Sequence, residues 1–187
     1  MNRLENETIV LRALEPGDID LLYRWENDTE NWFVSNTHAP FSRDVIRRYI
    51  SNAHKDIYEL KQLRLIIQKK TPAGEKSGAV GAIDLFDFDP YHLRAGVGIL
   101  VAEKDQRRQG LASSALRLLT EYSFTGLGMH LLYCNIAADN KASISLFTGE
   151  GFVQTGSKPE WLRKPDGWVT ELIFQKINPS TVPIRPA

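Results

Sequence analysis

The stretch from Leu93 to Tyr122 constrains the fold more than any other part of this chain. Leu93 to Val101 is a short apolar run of strand character. Leu111, Ala115, Leu118, Leu119 and Tyr122 then recur at i, i+4, i+7, i+8 and i+11, the spacing of one amphipathic helix face. Between the two runs lies the charged loop Glu103 to Gln109, and the helix opens at Gly110. Leu131 to Ala137 follows as a mostly apolar run that reads as a strand buried on both faces. A strand, a helix and a strand in this order predict a right-handed parallel crossover over 93–137.

The remaining elements place this unit inside an α+β domain with a central mixed sheet. Thr8 to Arg12 is β-branched and polar-flanked and predicts a strand. Pro16-Gly17-Asp18 opens a helix carrying Leu21, Leu22 and Trp25. Asn27 to Thr37 is polar with two aromatics, Trp32 and Phe33, and reads as a loop. Ser42 suits the N-cap of a helix carrying Val45, Ile46, Tyr49 and Ile50. Leu63 to Gln68 and Ala79 to Phe86 read as strands, with Thr71-Pro72-Ala73-Gly74 as the hairpin turn between them. Ala142 to Phe147 is a short helix stopped by Gly149 and Gly151, and 152–156 and 169–175 close the sheet. Residues 8–176 are expected to form one domain. The last ten residues hold three prolines without periodicity, so 177–187 reads as a tail.

Composition narrows the function classes. Lys plus Arg and Asp plus Glu are both 23, which leaves no global basic field for nucleic acid. The single cysteine, Cys134, excludes an intramolecular disulfide and a cysteine-only zinc site, and the four histidines show no metal-ligand spacing. No metal is therefore expected. No apolar run reaches the roughly 20 residues of a spanning helix, and Met1 to Glu7 lacks a signal-peptide core. The chain reads as a soluble cytoplasmic protein with no membrane or nucleic-acid partner. Burial of apolar faces is also compatible with a homodimer.

The loop before Leu111 carries the chemistry. The first amides of a helix lack internal partners, and the helix dipole leaves partial positive charge there. Arg107 and Arg108 add charge of the same sign, a conflict that an anion such as a phosphate resolves. Gly110 has no Cβ to obstruct the approach, and Ala112 is small. Gly110 is followed by Leu111 and Ala112, so this is not a P-loop. The three-glycine dinucleotide fingerprint is also missing.

Arg107-Arg108-Gln109-Gly110-Leu111-Ala112 resembles the [Q/R]-x-x-G-x-[G/A] motif of the GNAT N-acetyltransferase superfamily. Asn140 to Phe152 is similar to its later N-x-x-[A/S]-x-x-[L/V]-[Y/F/L]-x-x-x-G-F signature. Leu11-Arg12 with Asp18 resembles the opening of a branch that holds the ribosomal-protein N-terminal and the spermidine/spermine acetyltransferases. The resemblance implies α/β/α layers around a mostly antiparallel sheet with a splayed fourth strand. It implies acetyl-CoA as acyl donor, with the amides of Arg107, Arg108, Gln109, Gly110, Leu111 and Ala112 on the pyrophosphate. It places the main chain of Leu100 and Val101 along the pantetheine arm, and Asn140 against the same arm from the start of the short helix. An alternative reading is a CoA-binding regulatory module without catalysis.

Direct transfer requires a neutral amine. A primary alkyl amine, pKa about 10.4, is neutral in about one molecule in 2,500 at pH 7, a deficit of roughly 4–5 kcal/mol. An α-amino group near pKa 8 needs only about 1 kcal/mol. Base catalysis or desolvation must supply the difference. By the resemblance, Glu160 is the expected base, with Glu171 as an alternative. Phe147 stands where many members carry the tyrosine that protonates the departing thiolate. It has no proton to give and is expected only to line the cofactor site. Ser143 is then the expected thiolate partner. Asp84, Asp87 and Asp89, with Glu26, Asp28 and Glu30, suggest attraction for a cationic acceptor, and Trp32 and Phe33 are candidate walls. The acceptor is expected to be an amine, either a small molecule such as a polyamine or a protein N-terminus.

Overall fold

A computed structural model describes residues 4–35 and 37–181. The strands are β1 (Ile9–Arg12), β2 (Leu63–Lys70), β3 (Lys76–Asp89), β4 (Arg94–Val101), β5 (Leu131–Ala137), β6 (Val153–Lys164) and β7 (Gly167–Ile177). The helices are α1 (Ile19–Glu26), α2 (Thr29–Ser35), α3 (Arg43–Asn52), α4 (Ile57–Leu60), α5 (Leu111–Thr125) and α6 (Lys141–Gly149). The strands form one sheet in the order β1-β2-β3-β4-β5-β7-β6. All neighbouring pairs are antiparallel except β4 with β5. That parallel pair is the crossover through α5 expected from the 93–137 pattern.

The two faces of the sheet bury different sets of residues. On one face Leu65, Ile83, Leu85, Val97, Leu132, Cys134 and Phe174 meet Leu111, Ala115, Leu118 and Leu119 of α5 and Phe147 of α6. On the other, Ile66 and Ala82 meet Leu22 and Trp25 of α1 and Ile46 and Ile50 of α3. Each fully buried large side chain contributes about 1.5–3 kcal/mol by leaving water. Ser42 caps α3 by accepting from Val45 N at 3.2 Å. The Leu11-Arg12…Asp18 match is a structural clamp. Arg12 Nη1 and Nη2 donate to the two oxygens of Asp18 at 2.7 and 2.8 Å, and Glu15 N donates to Asp18 Oδ2 at 2.8 Å. Strand β1 is thereby tied to the start of α1.

Four expectations change. Residues 29–35 of the expected 27–37 loop are helix α2, begun by Asp28 Oδ1 accepting from Glu30 N and held by Trp32 Nε1 donating to Glu26 O at 2.9 Å. Strand β5 is buried on one face only: Leu132, Cys134 and Ile136 are buried, while Asn135 between them is exposed. Residues 157–164 and 167–168 extend the last two strands into a long hairpin, because main-chain pairing continues where the side chains are exposed. The beginning of the expected tail is anchored: Asn178 is buried and donates to Met129 O at 3.1 Å, and Thr181 Oγ1 bonds His130 Nδ1. Residues 182–187 lie outside the described chain. Among the described residues, no helix is long and apolar enough to cross a membrane.

Two glycines hold β4 against β3. A Cβ on Gly81 would strike the carbonyl oxygen of Leu100, and one on Gly96 would strike the Phe86 ring. Gly78, in the same strand as Gly81, has nothing within 4 Å of its Cβ position. Urea denaturation is expected to show Gly81→Ala and Gly96→Ala losing about 2–3 kcal/mol each, with Gly78→Ala within about 0.5 kcal/mol of wild type. The clamp gives a second expectation. Burial opposes the Asp18 charge, but bonds from Arg12 and the Glu15 amide outweigh it and set the carboxyl below the ordinary Asp value. A depressed folded pKa contributes stability that is present above the unfolded value near 3.9 and is lost as pH falls through the folded value. Asp18→Asn should therefore destabilise by about 3 kcal/mol at pH 7 and flatten the acid limb of the stability curve below about pH 4.

Candidate active site

The site begins where β4 and β5 part. They pair only over Arg94–Gly96 with Leu131–Tyr133. Beyond that rung, β4 continues five residues beside β3 alone. Strict alternation along an antiparallel pair fixes which main-chain groups face the opening. Ala102 N donates to Val80 O at 2.9 Å, so Leu100 and Gly98, two and four residues back, also face β3. Val97, Ile99 and Val101 then turn their N–H and C=O toward β5. The Val101 carbonyl confirms this phase, because it accepts from Arg107 Nε at 2.9 Å on the open side. Of the two expected positions, Val101 faces the cleft and Leu100 does not: its main chain is taken by β3 and its side chain packs with the α1–α3 core. Ile99 is the position that spacing alone missed, since ladder phase is not written in side-chain type.

At the open end of β4 the chain turns through Lys104–Gln106 into α5. Arg108 and Gly110 both take positive φ, 62° and 75°, and the amides of 108–113 find no acceptor among the described residues. The first helical bond of α5 is Ser114 N to Gly110 O, at 3.0 Å. Successive amides around left-handed residues form an anion-binding concavity. Its side chains point elsewhere. Gln109 Nε2 donates to Asp105 O and its Oε1 accepts from Lys69 at 2.9 Å. Arg107 is held by Val101 O and, at 3.5 Å, by Asn31 Oδ1 of α2. The Arg107 amide belongs to the preceding turn, donating to Lys104 O, so the free series starts at Arg108. Leu111 anchors the helix with a buried side chain, and Ala112 stays half-buried at the opening. Main-chain groups of β4 and this turn together fit an extended donor that ends in a diphosphate.

Helix α6 follows the end of β5 that has parted from β4. Asn140 Oδ1 caps it by accepting from Ser143 N at 3.1 Å, which leaves the Nδ2 amide as the group that could meet a ligand. Ser143 is half-buried in the first turn. Phe147 is 3% exposed and meets Phe152 edge to face at 5.0 Å, so the structure gives it a core role rather than a lining one. Cys134 is buried too, and burial pushes its thiol up to about 12, where it is inert.

The opposite face of the cleft carries the acids. Asp84 forms a paired contact with Arg64, Nε to Oδ1 at 2.6 Å and Nη2 to Oδ2 at 3.2 Å, and Arg64 Nη1 also bonds Glu26. Burial works against the Arg64 charge, but Asp84 and Glu26 outweigh it and raise its pKa. The Tyr49 ring lies 5.4 Å from this guanidinium, and burial pushes its phenol up to about 12. Asp84 is thus a neutralised carboxylate in a cluster with one excess negative charge, not the free anion expected. Glu30 pairs with Lys104 at 2.6 Å and Asp28 is spent on the start of α2. Asp89 accepts from the amides of Tyr91 and His92. Asp87 remains exposed, at φ 48°, and accepts from Tyr133 Oη at 3.1 Å. Trp32 lies half-buried on α2; the side chain of Phe33 is outside the described structure.

The expected base lies on the edge strand. Glu160 is exposed, at φ 50°, in a bulge of β6. Strand β7 lies between β6 and β5, so this edge strand runs about 10 Å from β5. Glu171 is nearer but bonds Lys158 Nζ at 2.8 Å, which in turn sits over the Trp161 ring at 4.7 Å. Sequence reasoning also missed Arg64 and Tyr133. The first lay in a strand read only for its apolar positions. The second lay in a run read as buried on both sides.

Comparison with known proteins agrees with this geometry. Residues 8–153 match the model of the acetyltransferase (GNAT) domain. A spermidine N(1)-acetyltransferase of Vibrio cholerae is 25% identical over 154 residues, 81% of this chain and 82% of that protein. The mouse alpha/beta-tubulin-N-acetyltransferase 9 is 35% identical over 81 residues, 43% of this chain and 34% of that protein. The crystal structure of the Vibrio cholerae spermidine N-acetyltransferase with CoA and spermine superposes with a TM-score of 0.78 at 23% identity, covering 92% of this chain and 97% of that one. The clamp of β1, the splayed strand, the amide-lined turn and the matched domain agree: this chain belongs to the GNAT acetyltransferase family.

Proposed function

We propose that the protein transfers the acetyl group of acetyl-CoA to a primary amine of a small polyamine by direct attack. The observation that carries this is the open β4 edge running into an amide-lined turn. An extended pantetheine arm can pair with Val97, Ile99 and Val101, and a diphosphate can take the amides of 108–113. Bound there, acetyl-CoA supplies an activated thioester. A free β4 N–H is placed to polarise its carbonyl, a form of oxyanion stabilisation. Ser143, at the start of α6, is the hydroxyl offered to the departing thiolate.

The acceptor assignment rests on the other face of the cleft. The Glu26–Arg64–Asp84 cluster holds two carboxylates to one guanidinium, and Asp87 adds an exposed charge. A cation with several amines gains from this field, whereas an anionic acceptor is repelled. The spermidine acetyltransferase relatives act on molecules of this kind. The expected protein N-terminus stays the second acceptor to test, since the relative named for tubulin is matched over 81 residues.

Calorimetry with CoA should show saturable 1:1 binding to the full chain. Gly110→Val, which forces a β-branched residue into positive φ beside the amides, should weaken it at least about 10-fold with a folded chain by circular dichroism. Thiol release should follow acetyl-CoA with spermidine or spermine, and be weaker with peptide N-termini. CoA binding without turnover of any amine would defeat the enzymatic reading and leave a binding module. Ser143→Ala should lower kcat by on the order of 10²-fold while leaving CoA affinity within about twofold; an unchanged kcat would remove Ser143 from the reaction.

A further inference from the structure

Tyr133 is the last residue of β5 to pair with β4, opposite Gly96, so it stands at the floor of the opening. Its neighbours Leu132 and Cys134 point into the α5 core, which sends Tyr133 to the other face, with Asp84 and Phe86. Gly96 leaves room for the Phe86 ring, and Phe86 meets the Tyr133 ring edge to face at 5.9 Å. The phenol is thereby fixed in direction. Its hydroxyl donates to Asp87 Oδ2, which a bulge at positive φ brings over from β3. A half-buried phenol that donates to an exposed carboxylate keeps its oxygen lone pairs free to accept a proton. The reaction needs a proton acceptor; Glu160 lies on the edge strand β6 and Glu171 is bonded to Lys158.

We infer that Tyr133 and Asp87 form the relay that takes the proton from the acceptor ammonium. This rests on the acetyl-transfer reading above. The ammonium gives one proton to the Tyr133 oxygen as the Tyr133 hydroxyl proton passes to Asp87; the tyrosine ends as it began and the carboxylate ends protonated. The neutral amine then bonds the thioester carbonyl carbon, the C–S bond breaks, and the second nitrogen proton goes to the thiolate. Asp87, exposed, returns its proton to water. Burial and the bond to Asp87 push the Tyr133 phenol up to about 12, so the hydroxyl stays protonated between turnovers.

The test pairs Tyr133→Phe and Asp87→Asn with two acceptors of one shape: a diamine, and its β,β-difluoro analogue, whose nitrogen is largely neutral at neutral pH. Tyr133→Phe keeps the ring contact with Phe86. With the ordinary diamine, both variants should lose about 10²-fold in kcat, with CoA affinity by calorimetry and the thermal midpoint unchanged. With the fluorinated amine the loss should shrink to less than about threefold, because little proton transfer is left to catalyse. Equal losses with both amines, or wild-type kcat in Tyr133→Phe, would overturn the relay. A second readout needs no turnover: with ¹³Cζ-labelled tyrosine, saturating diamine should shift the one signal that is missing in Tyr133→Phe, and an unmoved signal would also overturn it. Failure of the wild type to acetylate any amine would instead defeat the proposed function itself.

Discussion

The whole site depends on a sheet that comes apart. Strands β4 and β5 share three residue pairs and then diverge, leaving one edge of β4 without a partner in the middle of the fold. An unpaired main-chain edge inside a sheet is costly unless water or a ligand satisfies it. Here the same edge leads directly into a turn whose amides also lack partners. The two unsatisfied stretches are separated only by the bonded turn of 102–107, and together they describe a ligand that is extended at one end and anionic at the other.

The divergence is built by residues some distance from it. Gly81 lets β3 and β4 approach closely at the far end of β4, so that β4 follows β3 when β5 leaves. Gly96 receives the Phe86 ring at the last shared rung. Helix α5 packs Leu111, Ala115 and Leu119 under the sheet and so fixes the direction in which its first amides point. On the other side, the Arg12–Asp18 clamp sets the start of α1, and α1 delivers Glu26 to Arg64. Helix α5 and the Glu26–Arg64–Asp84 cluster therefore lie on opposite faces of one sheet.

Much of this was legible in the chain. The i, i+4, i+7, i+8 pattern of α5 reports a helix because one face must be buried, and the charged loop before Gly110 reports an anion because like charges gather there. Other features were not legible, for physical reasons. Helix α2 is short, its apolar residues Trp32, Phe33 and Val34 are consecutive rather than spaced as a stripe, and it is held by side-chain bonds of Asp28 and Trp32. The outer part of the β6–β7 hairpin buries no side chain fully, with Trp161 and Trp168 both more than half exposed, so it lacks the apolar alternation that marks a half-buried strand. The acids of β3 looked free because the charge that neutralises Asp84 comes from Arg64, twenty residues earlier. Ladder phase placed Ile99 rather than Leu100 at the opening, and only strand pairing sets that phase.

The central claim is that main-chain groups of β4 and of the turn before α5 hold the acyl donor. Amide hydrogen exchange followed residue by residue, with and without CoA, tests it most directly. The account predicts that the amides of Ile99 and Val101 and those of 108–113 exchange readily in the free protein and slow by at least about 10-fold when CoA is bound, while the Leu100 amide, already bonded to β3, changes little. Protection confined to another surface, or free exchange at 108–113 in the presence of saturating CoA, would contradict it.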